Sequence, residues 1–174
     1  MDFSLPHSLE VLERTPEVLH RMLHGISEDW TSPNEGEGTW SVFDVVGHLI
    51  HGDKTDWLVR TRIILSDQNT KTFDPFDRFA QFETSKGKTL DQLLHEFREL
   101  RQVNIERLRK LNITEADLAK TGIHPTFGTV TLRQLLATWV VHDLNHIAQI
   151  SRIMAKQYTE EVGPWIDFLR ILKS

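Results

Sequence analysis

Apolar positions along the chain recur mostly three and four residues apart, the period of a helix with one buried side, and no stretch sustains the alternation of a strand. Thr15-Pro16 sets a capping residue before a proline at a first helical position. Val18, Leu19, Met22, Leu23 and Ile26 follow at helical spacing, so a first helix is predicted there, with a turn or two ahead of it from about Leu5. Ser27 to Trp40 mixes Gly and Pro with polar residues and reads as a connecting loop. Ser41, with Asp44 three residues on, opens a second helix whose apolar pattern runs from Val42 to about Leu65. Between Ser66 and Lys88 the chain turns polar, broken by Asp74-Pro75 and Gly87, with Phe73, Phe76, Phe79 and Phe82 three apart. Aromatics at that spacing pack onto a core, the alternative in so long a connection being the wall of a pocket.

The capping box Thr89-Leu90-Asp91-Gln92 opens a third helix running to about Leu111, with Leu93, Leu94, Phe97, Leu100, Ile105 and Leu108 on its buried side. Thr114 to Leu118 adds one turn, and KTGIHPTFGTV reads as a second loop. Thr131 and Gln134 form a further capping box, from which a fourth helix continues to roughly Gln157, about 40 Å at 1.5 Å per residue. After Gly163-Pro164, the residues Trp165, Phe168, Leu169 and Leu172 suggest a short closing helix. Four long amphipathic helices with two longer connections predict an all-α fold, a four-helix bundle in which ligands project inward from facing helices.

With 174 residues, 39% of them hydrophobic, one domain spanning 1–174 is expected. Cysteine is absent, so a metal would rest on nitrogen and oxygen ligands, and the composition fits a reducing cytoplasm. No long apolar run or signal core supports a membrane association. The net charge of −5 argues against a nucleic-acid partner. Arg98, Arg101, Arg107, Arg109 and Lys110 alternate with Glu96, Glu99 and Glu106 and read as a solvated helix face.

Candidate chemistry centres on histidine. His142 and His146, in WVVHDLNHIAQI, stand four apart on a helix, with Cβ atoms about 5–6 Å apart, close enough to share one cation. The pattern is not that of the HExxH metalloproteases, because Asp143 stands where their Glu would be. The fourth helix places Leu135, Trp139, Gln149 and Ile153 on the same side, so this face turns inward and two buried imidazoles need partners. GHLIHGD on the second helix offers His48 and His51 to complete three ligands. Trp40, Trp57 and Trp139, near these positions, lock the bundle or wall a substrate site.

TWSVFDVVGHLIHGDKTDW, followed by TLRQLLATWVVHDLNHIAQISRIM, resembles the DinB-like superfamily of four-helix bundles, which includes metal-dependent hydrolases and bacillithiol transferase-like proteins. The resemblance implies a divalent metal, zinc or nickel, held by His48, His142 and His146. His51 replaces the acidic residue of many relatives; it could substitute for His48, join as a fourth ligand, or orient a water as acid or base. Asp53 could hydrogen-bond a ligand imidazole or stay solvated, and His124 could approach the metal or be a plain loop residue. The expected activity is hydrolysis or thiol-dependent S-transfer on a small molecule, the latter with a low-molecular-weight thiol as cosubstrate. Relatives imply a homodimer. The rival reading is a non-catalytic metal-binding or interaction bundle.

Overall fold

A computed structural model describes residues 1–173. Its helices are α1 (Leu5–Leu23), α2 (Glu28–Thr31), α3 (Val42–Thr55), α4 (Trp57–Leu65), α5 (Ala80–Thr84), α6 (Leu90–Lys110), α7 (Glu115–Leu118) and α8 (Leu132–Lys156). A hairpin of β1 (Thr121–His124) and β2 (Gly128–Thr131) precedes α8, and two 3-10 turns, Gly163–Phe168 and Arg170–Leu172, stand where a closing helix was expected. α1 packs on α6 and α8, and α3 packs on the same two helices. Thus α1 and α3 occupy one diagonal of the bundle, and α6 and α8 the other. This order sets α3 against α8 although they are far apart in sequence, which is what a site shared by His48 and the His142/His146 pair requires.

Capping boxes at Ser41, Thr89 and Thr131 start α3, α6 and α8 where expected, each satisfying backbone N–H groups that the first turn leaves unpaired. Three expectations are corrected. The first helix begins at Leu5, capped by Ser4, so Pro16 lies inside it rather than at its start. Proline lacks an N–H, and the Leu12 carbonyl four residues earlier is left without its helical donor. The second helix breaks at Asp56 (φ −114°, ψ −77°) into α3 and α4. There Asn104 Nδ2 donates to the Asp53 carbonyl at 2.7 Å, which a continuous helix would have paired with the Trp57 N–H. The loop before α8 is an antiparallel hairpin, Thr121 to His124 pairing with Thr131 to Gly128. The Phe73 N–H donates to the Ile123 carbonyl and the Ile123 N–H to the Lys71 carbonyl, adding a third extended segment. Strands of four residues are too short for a period of two to stand out, and the outer edge of β1 is met by residues 71–73, distant in sequence.

The core has two apolar groups. One gathers Leu12, Trp57, Leu58, Ile105, Leu108, Leu135 and Trp139; the other gathers Leu19, Val45, Val46, Leu49, Leu94, Phe97 and Ile150. Between them, on three different helices, sit the buried polar residues Asp53, Arg101 and Asp143. Among the described residues, no helix is long and apolar enough to cross a membrane.

Candidate metal centre

α3 contributes His48 to the seam with α8, and α8 contributes His142 and His146 from successive turns of one face. His48 Nε2 lies 3.1 Å from His142 Nε2, and His146 Nε2 lies 3.1 Å from the same atom. The three rings offer one ligand atom each, all within 4.8 Å of one another. Nitrogens bound tetrahedrally to one ion at about 2.0–2.1 Å would stand roughly 3.3–3.4 Å apart, close to this spacing.

Hydrogen bonding alone does not account for the cluster. His146 Nδ1 donates to Gln149 Oε1 at 2.8 Å, which puts its proton there and aims the Nε2 lone pair at the other rings. His142 Nε2 faces two imidazole nitrogens but offers a single site, either one proton or one lone pair, so only one of the two contacts can be a well-formed hydrogen bond. A cation among the three nitrogens would use every lone pair. The Nδ1 atoms of His48 and His142 are buried without a hydrogen-bond partner among the described residues. Burial lowers the pKa of His48 to about 3, and the charges of His146, His51 and Arg78 add to it. Burial lowers that of His142 to about 2, aided by His146, His48 and Arg101. Burial also lowers His146, against the opposing effects of Gln149 and Asp143. Neutral imidazole, the form that binds metal, is thereby held well into acid.

A stability cost follows for the metal-free protein. An unfolded histidine takes up a proton below about pH 6.5, while His48 and His142 stay neutral in the fold, so stability present above that pH falls as pH drops toward their folded values. At pH 5.5 the pair should cost roughly 3 kcal/mol relative to neutral pH. Asp56 acts with the opposite sign: burial raises it to about 6 against the pull of Arg60, so it returns under about 1 kcal/mol over the same interval. Urea unfolding in EDTA at pH 7.5 and 5.5 should therefore differ by roughly 2 kcal/mol, and equal stabilities would show that the rings are not held neutral.

Aromatic groups enclose the cluster. Trp40 lies 4.7 Å and Phe76 5.5 Å from the His48 ring, centroid to centroid, and Trp57 meets His142 edge-on at 5.0 Å. Trp57 in turn stacks at 5.8 Å on Trp139, which is fully buried. Glycine at position 47 lets α5 press on α3, because a Cβ there would come 2.5 Å from Ser85 Oγ and 3.3 Å from Gln81 Cβ. That close approach holds the connection carrying Phe76 beside His48. Phe73 alone of its four-phenylalanine series is buried in the core, and it lines, with Phe76 and Phe79, a cavity of about 990 Å³ that opens on the three histidines.

The other singled-out residues divide. His51 stays outside the three-histidine group; its ring packs on Phe76 at 4.9 Å and its Nε2 lies 3.4 Å from Thr55 Oγ1. His124 lines the cavity, with Nδ1 accepting from the Thr126 and Phe127 amides. Asp53 has both carboxylate oxygens on Arg101, Oδ2 to Nε at 2.7 Å and Oδ1 to Nη2 at 2.9 Å, and among the described residues its carboxylate is not hydrogen-bonded to a histidine. Arg101 belongs to no solvated face: it is 1% exposed. Its Nη1 donates to Asp143 Oδ2 at 2.5 Å and to the Leu12 carbonyl freed by Pro16 at 2.9 Å, and its Nη2 reaches Asp143 Oδ1 at 3.1 Å. All five N–H donors are used, and one guanidinium ties α1, α3, α6 and α8. Burial works against its charge, but Asp53 and Asp143 outweigh burial and hold the proton more tightly than usual. The apolar i, i+4 neighbours Phe97 and Ile105 were the available signal that Arg101 faces inward. Asp56, also on the cavity wall, had no signal in the sequence, because only the helix break turns it there.

A family model described as the DinB superfamily matches residues 11–150. The chain belongs to the DinB superfamily. Among solved structures it is similar to YfiT from Bacillus subtilis, described as a probable metal-dependent hydrolase with an unusual four-helix bundle topology. The two are 24% identical, the match covers 90% of each chain, and the TM-score is 0.76. None of the curated proteins compared with the chain matches it. The two chains share a fold.

Proposed function

We propose that this DinB-superfamily protein is a metal-dependent enzyme, a hydrolase of a small molecule, with His48, His142 and His146 holding one divalent cation, zinc or nickel. The observation that carries the reading is the convergence of three imidazoles beside a cavity, with His142 Nε2 3.1 Å from the Nε2 atoms of both His48 and His146. The description of YfiT as a probable metal-dependent hydrolase supports it. Such an ion, with three neutral ligands, would supply Lewis acidity and draw the proton of a bound water or thiol toward physiological pH. Trp40, Trp57 and Phe76 pack against the His48 and His142 rings and hold them in place, and Gln149 fixes the His146 tautomer.

S-transfer from a low-molecular-weight thiol is the second reading; a chain without cysteine would take its thiol from outside. The cavity beside the histidines favours an enzyme over a structural metal, whose ligand shell would be closed. A second copy of the chain is the macromolecular partner this reading carries, with exposed Val141 and Leu144 on α8 as apolar surface for it to cover.

Elemental analysis of protein purified without a polyhistidine tag tests the metal directly. About one zinc, nickel or similar ion per chain is expected in the wild type, and none in His48→Ala, His142→Ala or His146→Ala. A wild type that stays metal-free after incubation with zinc and with nickel would overturn the proposal.

A further inference from the structure

The cavity differs in charge from the rest of the chain. The protein carries a net −5, yet the ionisable side chains on the cavity wall are Asp56 and Glu35 against Arg60, Arg78 and Arg152, besides the histidines. Both carboxylates are already engaged. Arg60 Nε meets Asp56 Oδ1 at 2.5 Å. Glu35 receives Arg152 through two bonds of 2.7 Å and Lys156 at 3.0 Å. Those hydrogen bonds, Arg152 first, hold Glu35 ionised down to about 2. Arg78 is exposed and makes no ion pair or hydrogen bond among the described residues, while its charge reaches His48. Asp77, its neighbour in sequence, accepts from the Phe79 amide at 2.9 Å and acts electrostatically on His51.

Much of the remaining wall is aromatic. Trp40, Phe76 and Phe79 line the cavity together with Arg78, and Phe127 faces the same space from the hairpin. Phe79 is 65% exposed and Phe127 75%, large aromatic surfaces that folding leaves in water. Phe79 stacks on Phe82 and Phe127 on His124, each by one side only as its exposure shows, and a cation without a counterion beside such half-open rings complements a ligand with an anionic end and a flat body.

We infer that the cavity takes a small organic acid, a carboxylate joined to a flat apolar group, and that Arg78 receives the carboxylate and sets the charge preference. The inference rests on the reading of this cavity as the substrate site, and it does not depend on the metal. Arg78 is exposed on the connection between α4 and α5 and makes no hydrogen bond or ion pair among the described residues, so its replacement removes no polar contact of the fold.

The test is calorimetric titration of the full chain in EDTA, and again after zinc loading, with 2-naphthoate, 2-naphthamide and 2-naphthylmethylamine. In EDTA the carboxylate should bind about tenfold tighter than the amide, and the amine weakest, a preference that shrinks with added salt. Arg78→Gln should level carboxylate and amide, and Arg78→Glu should favour the amine. Equal binding of carboxylate and amide in EDTA, a preference seen only with zinc, an unchanged preference in Arg78→Gln, or no binding of any probe would each overturn it. Elemental analysis decides the metal separately, so the failure of one reading is told apart from the failure of the other.

Discussion

Arg101→Met should lower the free energy of unfolding by about 3–5 kcal/mol, a large part of the roughly 5–15 kcal/mol that holds a domain together. The side chain removed is not on the surface. Asp53 and Asp143 have no exposed side-chain area, so the substitution leaves two carboxylates buried without their cation. It also strips the Leu12 carbonyl, which Pro16 has already deprived of a helical donor. Arg101→Lys restores the charge but not the planar fork, because an ammonium has three donors and no fixed geometry with which to serve five bonds. It should fall between the two. Replacing the whole group, Asp53→Leu and Asp143→Leu together with Arg101→Met, should recover most of the loss, since apolar groups pack where unpaired charges cannot. Urea unfolding reads all four proteins, and a loss under about 1 kcal/mol in Arg101→Met would sink this account of the bundle's centre.

Zinc or nickel at about 100 times its dissociation constant should stabilise the wild type by about 2.7 kcal/mol, raising the melting temperature by roughly 5–10 °C for a chain of this size. The reason is that the three nitrogens come together only in the fold, so an ion that binds them binds the native state and not the unfolded chain. Each of His48→Ala, His142→Ala and His146→Ala should abolish the rise. The metal-free variants serve as their own baselines, because a buried imidazole packed among Trp40, Trp57 and Phe76 also contributes to packing. Thermal scans with metal and with EDTA measure the difference. A shift that persists when all three histidines are replaced together would place the responsible ion elsewhere.

Much of this protein is legible in its sequence because its main signals are local. Helical periodicity and the capping boxes at Ser41, Thr89 and Thr131 depend on residues three and four apart, and the helices they open begin there. His142 and His146 are also a local pair, fixed by the pitch of α8. Where the sequence misled, a distant contact outweighed the local signal. Thr15-Pro16 reads as a helix start, and the Ser4 cap together with Arg101, which takes the orphaned Leu12 carbonyl, carries the helix through it. The second helix reads as continuous to Leu65, and Asn104 stabilises its break at Asp56. The hairpin before α8 draws its third segment from residues 71–73.

The sequence by itself determined the helical class, the helix starts at the capping boxes, the histidine pair of α8 and the acidic balance of the chain, since each follows from neighbours along the backbone. Spacing left His48 and His51 both open, family resemblance named His48, and the tertiary structure brings His48 to that pair; only the tertiary structure decided that Arg101 is buried between Asp53 and Asp143 and that Arg78 and Asp56 share one cavity. Those outcomes depend on which helices become diagonal and which adjacent, a choice made by the packing of whole faces, and no local spacing encodes it.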